Sequence, residues 1–574
     1  MVATNKARAD SPTLRESEEA RVLSGAQMVC ESLVREGVEV IFGYPGGAIT
    51  PFYHALPDYP IRHVLVRHEQ AAAHAADGYA RATGKTGVCV ATSGPGATNL
   101  VTGIATAYLD SSSVVAITGQ VPTTQVGKDA FQETDITGIT LPITKHNYLV
   151  LDVSEIPRTV KEAFHLSQTG RQGPVLIDLP SDVQRAKGKY VYPADVDLRG
   201  YRPSVAGNAR QVRQAVKLLR TAERPVILVG RGAHLGGAYD ELIRLAEEAN
   251  VPVFSTLMGL GAFPGSHPLF YGLVGLHGLA YANRALCNCD LVMVIGARLS
   301  DRTTGNPRSF AKQARLIHID VDPAEIGKNV GVDVPIVGDV RRVLEALLHE
   351  GVRRDKDGWL EQMNIWREEG ADVPWPGDGH VSPQTAIRRL HQETKGEAVI
   401  VTDVGQHQLW AARYYDYDRP RSFISSGGLG TMGFGLPAAV GAKIGRPDAN
   451  VWVVCGDGGL QMTIQEMATV VQEGLDIKIA LLNNGYLGMV RQLQEFFHDR
   501  RYSGTALLGP DFVRVAEAYG IAGRRVERDE EVSEALRWAN AVDGPALVEF
   551  VIEPEANVYP MVSPGKSLED MIEG

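Results

Sequence analysis

Two neighbouring stretches, Val451-Trp-Val-Val-Cys-Gly-Asp-Gly-Gly459 and Ile477-Lys-Ile-Ala-Leu-Leu-Asn-Asn484, decide the fold. Residues 451–454 form a short apolar run, as a strand buried on both faces of a parallel sheet requires. Residues 455–459 read as a turn. Thr463 and Glu466 have the spacing of a capping box ahead of a helix over 464–473, which Gly474 closes. Residues 477–482 read as the next strand. Strand, helix and strand in succession make a βαβ unit with parallel strands. The Gly-Asp-Gly turn and the Asn pair then both emerge at the carboxyl edge, where open α/β sheets bind ligands.

The same alternation of apolar runs and helical patterns extends outward over most of the 574 residues. It predicts an α/β protein with parallel sheets. Residues 187–206 and 353–379 carry prolines and charges without either period and read as linkers. They leave three doubly wound domains, expected at 23–186, 207–352 and 380–555. A flexible tail is expected over 1–22 and a C-terminal tail over 556–574.

Composition removes several alternatives. Lys and Arg number 57 against 68 Asp and Glu, a formal charge of −11, with no long basic run. Nucleic-acid binding is therefore not expected. No apolar stretch reaches the roughly 18 residues of a membrane span. Nor does the N-terminal stretch look like a secretory signal, and five cysteines are too few for a disulfide framework. These features read as a cytoplasmic protein with reduced thiols. Glycine is the unusual count: 61 of 574 residues, against an average of roughly 7%. In a chain without collagen periodicity, that excess signals turns and close backbone approach to ligands.

Asp457 and Asn484 offer a carboxylate and an amide oxygen to a hard cation such as magnesium, which leaves its other positions to water and phosphate. Gly456, Gly458 and Gly459 allow backbone amides to approach an anion. This Gly-Asp-Gly to Asn-Asn spacing is the signature of thiamine diphosphate binding. That cofactor also needs a carboxyl group at N1′ of its aminopyrimidine, so that the 4′-nitrogen can take the proton from C2. Residues 62–67 read as a strand and 70–83 as an Ala-rich helix. Glu69, at their junction, is the leading candidate for that carboxyl group.

Further stretches extend the likeness. Gly43-Tyr-Pro-Gly-Gly47, Arg67-His-Glu-Gln70, Thr92-Ser-Gly-Pro-Gly96 and Ala130-Phe-Gln-Glu133 lie in the first block. Val404-Gly-Gln-His-Gln408, Ser426-Gly-Gly-Leu-Gly430, Met432-Gly-Phe-Gly435 and Asn557-Val-Tyr-Pro-Met561 follow later. In order and spacing, over about residues 22 to 570, they resemble catalytic subunits of the acetohydroxyacid synthase (acetolactate synthase) family.

The resemblance implies three domains, binding pyrimidine, FAD and diphosphate, with the thiamine site shared between two subunits. It places Glu69 at the pyrimidine, and Asp457, Asn484 and the Tyr486 carbonyl at Mg2+. Gly405, Gln406, His407, Gly456, Gly458 and Gly459 fall at the diphosphate. Met432 falls beneath the thiamine and the Gly430 carbonyl at its 4′-amine. For FAD it implies Arg231, Gly232, Thr256, Leu257, Met258, Leu276, His277, Gly296, Arg298, Asp320 and Asp339. Arg302 would hold the carboxylate of the second oxoacid, for which a guanidinium is suited. Gln132, Phe131, Gly47 and Ala48 would line the same pocket, opposite Met489 and Val490.

Two positions depart from the family pattern. Ser181 stands where Lys is common, and Leu493 where Trp is common. Losing that aromatic removes contact area and stacking, which implies weaker preference for 2-oxobutyrate and poor inhibition by sulfonylurea-type compounds. The implied reaction decarboxylates pyruvate and ligates the two-carbon unit to a second 2-oxoacid. Pyruvate then gives 2-acetolactate and 2-oxobutyrate gives 2-aceto-2-hydroxybutyrate, in branched-chain amino acid biosynthesis. A homodimer or homotetramer is implied, with a separate regulatory subunit as a further partner. An FAD-dependent pyruvate oxidase and a related 2-oxoacid carboligase or decarboxylase are the alternative readings.

Overall fold

The computed structural model describes residues 21–354, 356, 358–369 and 379–573. It contains three six-stranded sheets in which every neighbouring pair is parallel. The first sheet runs, edge to edge, Arg62–Leu65, Val40–Gly43, Gly87–Ala91, Val114–Gln120, Val175–Pro180 and His146–Leu149. The third runs Phe423–Ile424, Val399–Thr402, Val451–Gly456, Ile477–Asn483, Ala546–Val551 and Ala522–Val526. Numbered within each domain, both have the order 2-1-3-4-6-5. The middle sheet instead has the dinucleotide-fold order 3-2-1-4-5-6: Phe270–Leu273, Val253–Ser255, Pro225–Val229, Leu291–Ile295, Arg315–Asp320 and Val334–Val337.

The central strands Val114–Gln120 and Leu291–Ile295 are buried along their whole length. That is why the sequence shows residues 114–117 and 291–295 as continuous apolar runs rather than alternating ones. The first and third domains share one apolar cluster that includes Phe42, Ala75, Phe434 and Val453. Its seam is the crossing of helix Glu69–Thr83 with helix Gly435–Gly445. A Cβ added at Gly78 would lie 2.0 Å from the Ala438 carbonyl oxygen, and one at Gly441 1.8 Å from that of Ala75. The Ala- and Gly-rich composition of both helices is what lets the two backbones approach this closely.

Several expectations change. The capping box is absent: Thr463 Oγ1 donates instead to the Gly433 carbonyl, and the Glu466 carboxylate accepts the Arg67 amide and the Thr469 hydroxyl. Both side chains serve long-range contacts, so the expected helix divides into the 3-10 turn Ile464–Glu466 and the helix Met467–Gln472, and a separate helix, Asp457–Met462, precedes it. The Gly-Asp-Gly turn is correspondingly a strand end followed at once by a helix. The expected linker at 353–379 contains the helix Gly358–Glu369, whose Trp359 and Met363, one turn apart, pack into the middle domain's core. Residues 370–378 lie outside the described residues. At the other linker, Lys187–Lys189 pairs antiparallel with Val22–Ser24, so Val22 belongs to a strand. Of the rest of the expected N-terminal tail, Arg21 accepts the Tyr190 amide through its carbonyl, and 1–20 are not among the described residues.

The C-terminal tail leaves the third domain and crosses to the second. The Val562 amide donates to the Leu276 carbonyl and the Asn306 amide to that of Lys566, both at 2.8 Å. All five cysteines are free. Among the described residues no helix is long and apolar enough to cross a membrane.

Candidate active site

In the third sheet, strand order reverses between Val399–Thr402 and Val451–Gly456, the position at which such sheets open a crevice. Gly405, Gln406 and His407 follow the first of these strands; Asp457, Gly458 and Gly459 follow the second. All line one cleft with Gly456, Asn484, Tyr486, Met432, Met489 and Val490. Asp457 is 1% exposed, and neither carboxylate oxygen has a hydrogen-bond partner. Burial pushes its pKa up to about 6, with the nearby Gly458 and Asn484 amides pulling the other way. A buried carboxylate without a partner is destabilising unless a cation or a proton meets it.

The surroundings favour a cation. Asn484 Nδ2 lies 3.4 Å from Gln406 Oε1, and its Oδ1 accepts the Tyr486 amide at 3.2 Å, leaving a second lone pair on that oxygen. Among the described residues no three His, Cys, Asp or Glu side chains cluster as a metal cage. One carboxylate, one amide oxygen and a backbone carbonyl suit magnesium shared with phosphate oxygens. His407 is buried with Nε2 unpartnered, and burial lowers its pKa to about 3, so it is neutral. Such an imidazole can donate to an anion without carrying charge.

The middle sheet has its own reversal, between Pro225–Val229 and Leu291–Ile295. Arg231 and Gly232 beyond the first strand and Gly296 and Arg298 beyond the second line a cavity there. Thr256, Leu257, Met258, His277, Arg302 and Asp320 complete that side, and Gly430 and Met489 stand on the third-domain side. Arg231 Nε and His277 Nε2 are buried donors without partners. Burial, reinforced by Arg81, lowers the Arg231 pKa to about 9; burial holds His277 near 3 and lifts Asp320 to about 6. Orphaned cationic and neutral donors along a dinucleotide-type crevice fit an anionic, hydrogen-bonding ligand such as FAD. Arg302 makes no ion pair with any described residue, which leaves its guanidinium for a ligand.

The remaining candidates gather at the reversal of the first sheet, between Val40–Gly43 and Gly87–Ala91. The Ala48 amide donates to Thr92 Oγ1 at 3.2 Å. Glu69 opens the helix Glu69–Thr83 and accepts from Asn99 at 2.9 Å. Gln132, with φ of 59°, backs onto Gly94, and Phe131 is 88% exposed. Glu133 ties the loop by accepting the Gly127, Lys128 and Ala130 amides. Glu69, Gly47, Ala48, Phe131 and Gln132 therefore form a second group that lines neither the Asp457 cleft nor the Arg302 cavity of the same chain.

Three other candidates lie outside the cavities. Leu276 is packed in the middle domain's core. Asp339 caps the helix Val340–Glu350 by accepting the Arg342 amide. Leu493 is half-buried on the helix Gly488–Phe497, three and four residues beyond Val490 and Met489. Nothing local in the sequence marks Asp403, whose buried carboxylate accepts the Val404, Gly433 and Gly435 amides and so ties the turn carrying Met432 to the strand end at the cleft. The same holds for Arg171 and Glu325, which pair at 2.7 Å and line the cavity beside Asp320. A lone charged residue gives no local sign of such long-range use.

Three family profiles match in chain order. These are the thiamine pyrophosphate enzyme N-terminal TPP binding domain at 23–139, central domain at 212–347 and C-terminal TPP binding domain at 403–550. A probable acetolactate synthase large subunit of Methanocaldococcus jannaschii is 50% identical over 565 residues, 96% of this chain and 95% of that one. The chain belongs to the acetolactate synthase large-subunit family. Another member, the acetolactate synthase of Arthrospira platensis, is 50% identical over 568 residues, covering 96% of this chain and 98% of its own. The acetolactate synthase large subunit of Corynebacterium glutamicum is 49% identical over 564 residues, with 96% and 90% covered. Membership makes this a thiamine-diphosphate-dependent carboligase, with TPP-binding domains at both ends of the chain.

Proposed function

We propose that the chain is a catalytic subunit that decarboxylates pyruvate and joins the two-carbon unit to pyruvate or 2-oxobutyrate, using thiamine diphosphate, Mg2+ and FAD. The observation that carries this reading is the buried, unpartnered Asp457 carboxylate in a cleft walled off from the Arg302 cavity only by Val404, Gly405 and Met489. Asp457, Asn484 and the Tyr486 carbonyl would hold the metal, with Gln406 and His407 toward the diphosphate. Bound thiamine diphosphate supplies the electron sink that decarboxylation of a 2-oxoacid requires.

The chain's own residues bind and orient. Arg302 grips the carboxylate of the second oxoacid bidentately, while Met489 and Val490 form the apolar wall against its alkyl group. Glu69 holds the proton at the pyrimidine N1′. It comes from a second copy, because within one chain the Glu69 group and the Asp457 cleft are separate; Phe131, exposed at the Glu69 group, is then covered in the dimer. The smallest competent unit is thus a homodimer, which a tetramer or a regulatory subunit can extend, in the cytoplasm.

Purified protein given pyruvate, thiamine diphosphate, Mg2+ and FAD is expected to form 2-acetolactate and carbon dioxide. Adding 2-oxobutyrate should divert part of the product to 2-aceto-2-hydroxybutyrate. Pyruvate-driven oxygen uptake without acetolactate would overturn the reading in favour of an oxidase.

A further inference from the structure

The two cavities share more than a wall. Gly427 and Gly430 line the flavin side, and Met432, two residues on, lines the cleft. This third-domain loop is held by the first domain. Asp110, itself 2% exposed and lining the flavin cavity, accepts the Gly428 amide at 2.7 Å and the Gly427 amide at 3.2 Å. Arg81 grips Asp110 at 3.0 Å and also Asp77, and donates to the Ser425 carbonyl at the start of the loop. Arg231, which lines the flavin cavity, joins the same knot by donating to Ser112 at 2.8 Å.

The contact is tight from both sides. A Cβ at Gly428 would lie 2.7 Å from Asp110 Oδ1 and 3.0 Å from Arg298 Nη2. Arg81 holds both the Asp77 and the Asp110 carboxylates inside a buried site, while Arg231 is held by Ser112. An anion placed against Arg231 and Arg298 therefore bears on the loop from two sides, through Arg298 at Gly428 and through Arg231 at Ser112, two residues beyond Asp110.

We propose that Asp110 is a positioning residue coupling the two cavities, so that a ligand on Arg231 and Arg298 fixes the loop 427–432 in the form that receives thiamine diphosphate. This rests on reading the middle cavity as the flavin site. Ordering a glycine-rich loop costs conformational entropy, and whichever ligand binds first relieves the second of that cost. By linkage the effect is reciprocal, each cofactor tightening the other by the same factor.

The test strips the full-length protein of cofactors and titrates thiamine diphosphate with Mg2+, with and without saturating FAD, by tryptophan fluorescence. FAD is titrated in turn by its visible spectrum. The wild type should bind thiamine diphosphate about tenfold more tightly when FAD is present, within the usual range of such couplings, and FAD should respond by the same factor. Asp110→Asn and, from the other side of the contact, Gly428→Ala should each bring that ratio to about threefold or less. Asp457→Asn should weaken thiamine diphosphate while leaving FAD affinity in its absence unchanged. A wild-type ratio of one, or a ratio unchanged in both variants that bind both cofactors, would overturn the coupling alone. Failure of the wild type to bind FAD at all would overturn the flavin reading and the coupling together.

Discussion

Asn99 Nδ2 donates to Glu69 Oε2 across 2.9 Å, fixing the carboxylate at the first turn of the helix Glu69–Thr83. The free oxygen, Oε1, faces the backbone of Gly96, where a Cβ would come within 3.3 Å. Glu69→Gln keeps this volume and removes the proton-holding group. We expect turnover to fall about 10²- to 10⁴-fold, the usual worth of a positioned acid or base, with the circular dichroism spectrum unchanged. Acetolactate formation near the wild-type rate would remove Glu69 from its assigned role.

Asp457 separates stability from function. In the cofactor-free protein its unpaired carboxylate is a cost, so Asp457→Asn should raise the stability of that form by about 1–3 kcal/mol. The same substitution should abolish the metal-dependent retention of thiamine diphosphate. Thermal melts of stripped protein and thiamine diphosphate titration with Mg2+ check the two halves. A variant less stable than wild type would mean that the carboxylate is already satisfied within the chain.

Leu493 lies on the same face of the helix Gly488–Phe497 as Met489 and Val490, the spacing at which side chains adjoin. One methylene separates 2-oxobutyrate from pyruvate, and a pocket discriminates a methylene by roughly tenfold or more. Leu493→Trp should therefore raise the preference for 2-oxobutyrate about tenfold in competition with pyruvate. No change in the product ratio would place the specificity elsewhere.

His74 is fully buried between the first and third domains, edge-on to Phe434 at 5.3 Å, with Nδ1 unpartnered. Burial lowers its pKa to about 4, with Asp77 pulling up and Arg81 down. The unfolded chain takes up a proton near pH 6.5 and the folded chain does not, so this histidine's contribution is complete above pH 6.5. It is lost as pH falls toward 4, at about 1.4 kcal/mol per pH unit. His234, lowered to about 3 by burial, acts in the same direction. His74→Gln should lose less Tm between pH 7 and pH 5 than the wild type; an identical loss in both would refute the assignment.

Much of this is legible in the sequence alone. The strands at 451–456 and 477–483 and the helix at 69–83 carry their own apolar patterns and end signals, so they emerge within a few residues. What could not be read is held by contacts distant in sequence. Asp110 and Asp403 look like ordinary polar residues until Gly428 and Gly433 arrive at their carboxylates. Thr463 and Glu466 have perfect capping spacing, yet Gly433 and Arg67 outcompete the helix for their side chains. Asp339 follows a strand in the middle domain, as a ligand contact would, but its carboxylate is used by the helix Val340–Glu350. The common 2-1-3-4-6-5 order of the outer sheets depends on which strands pair, which local patterns do not encode.

In the proposed enzyme, Glu69 of one chain completes the Asp457 cleft of another to make acetolactate. Co-expression of Glu69→Gln and Asp457→Ala chains under two different affinity tags allows the mixed dimer to be isolated. One of its two sites would then be intact, so it should form acetolactate from pyruvate at about half the wild-type rate, although each parent homodimer runs at about a hundredth of that rate or less. A mixed dimer as inactive as its parents would contradict the shared site.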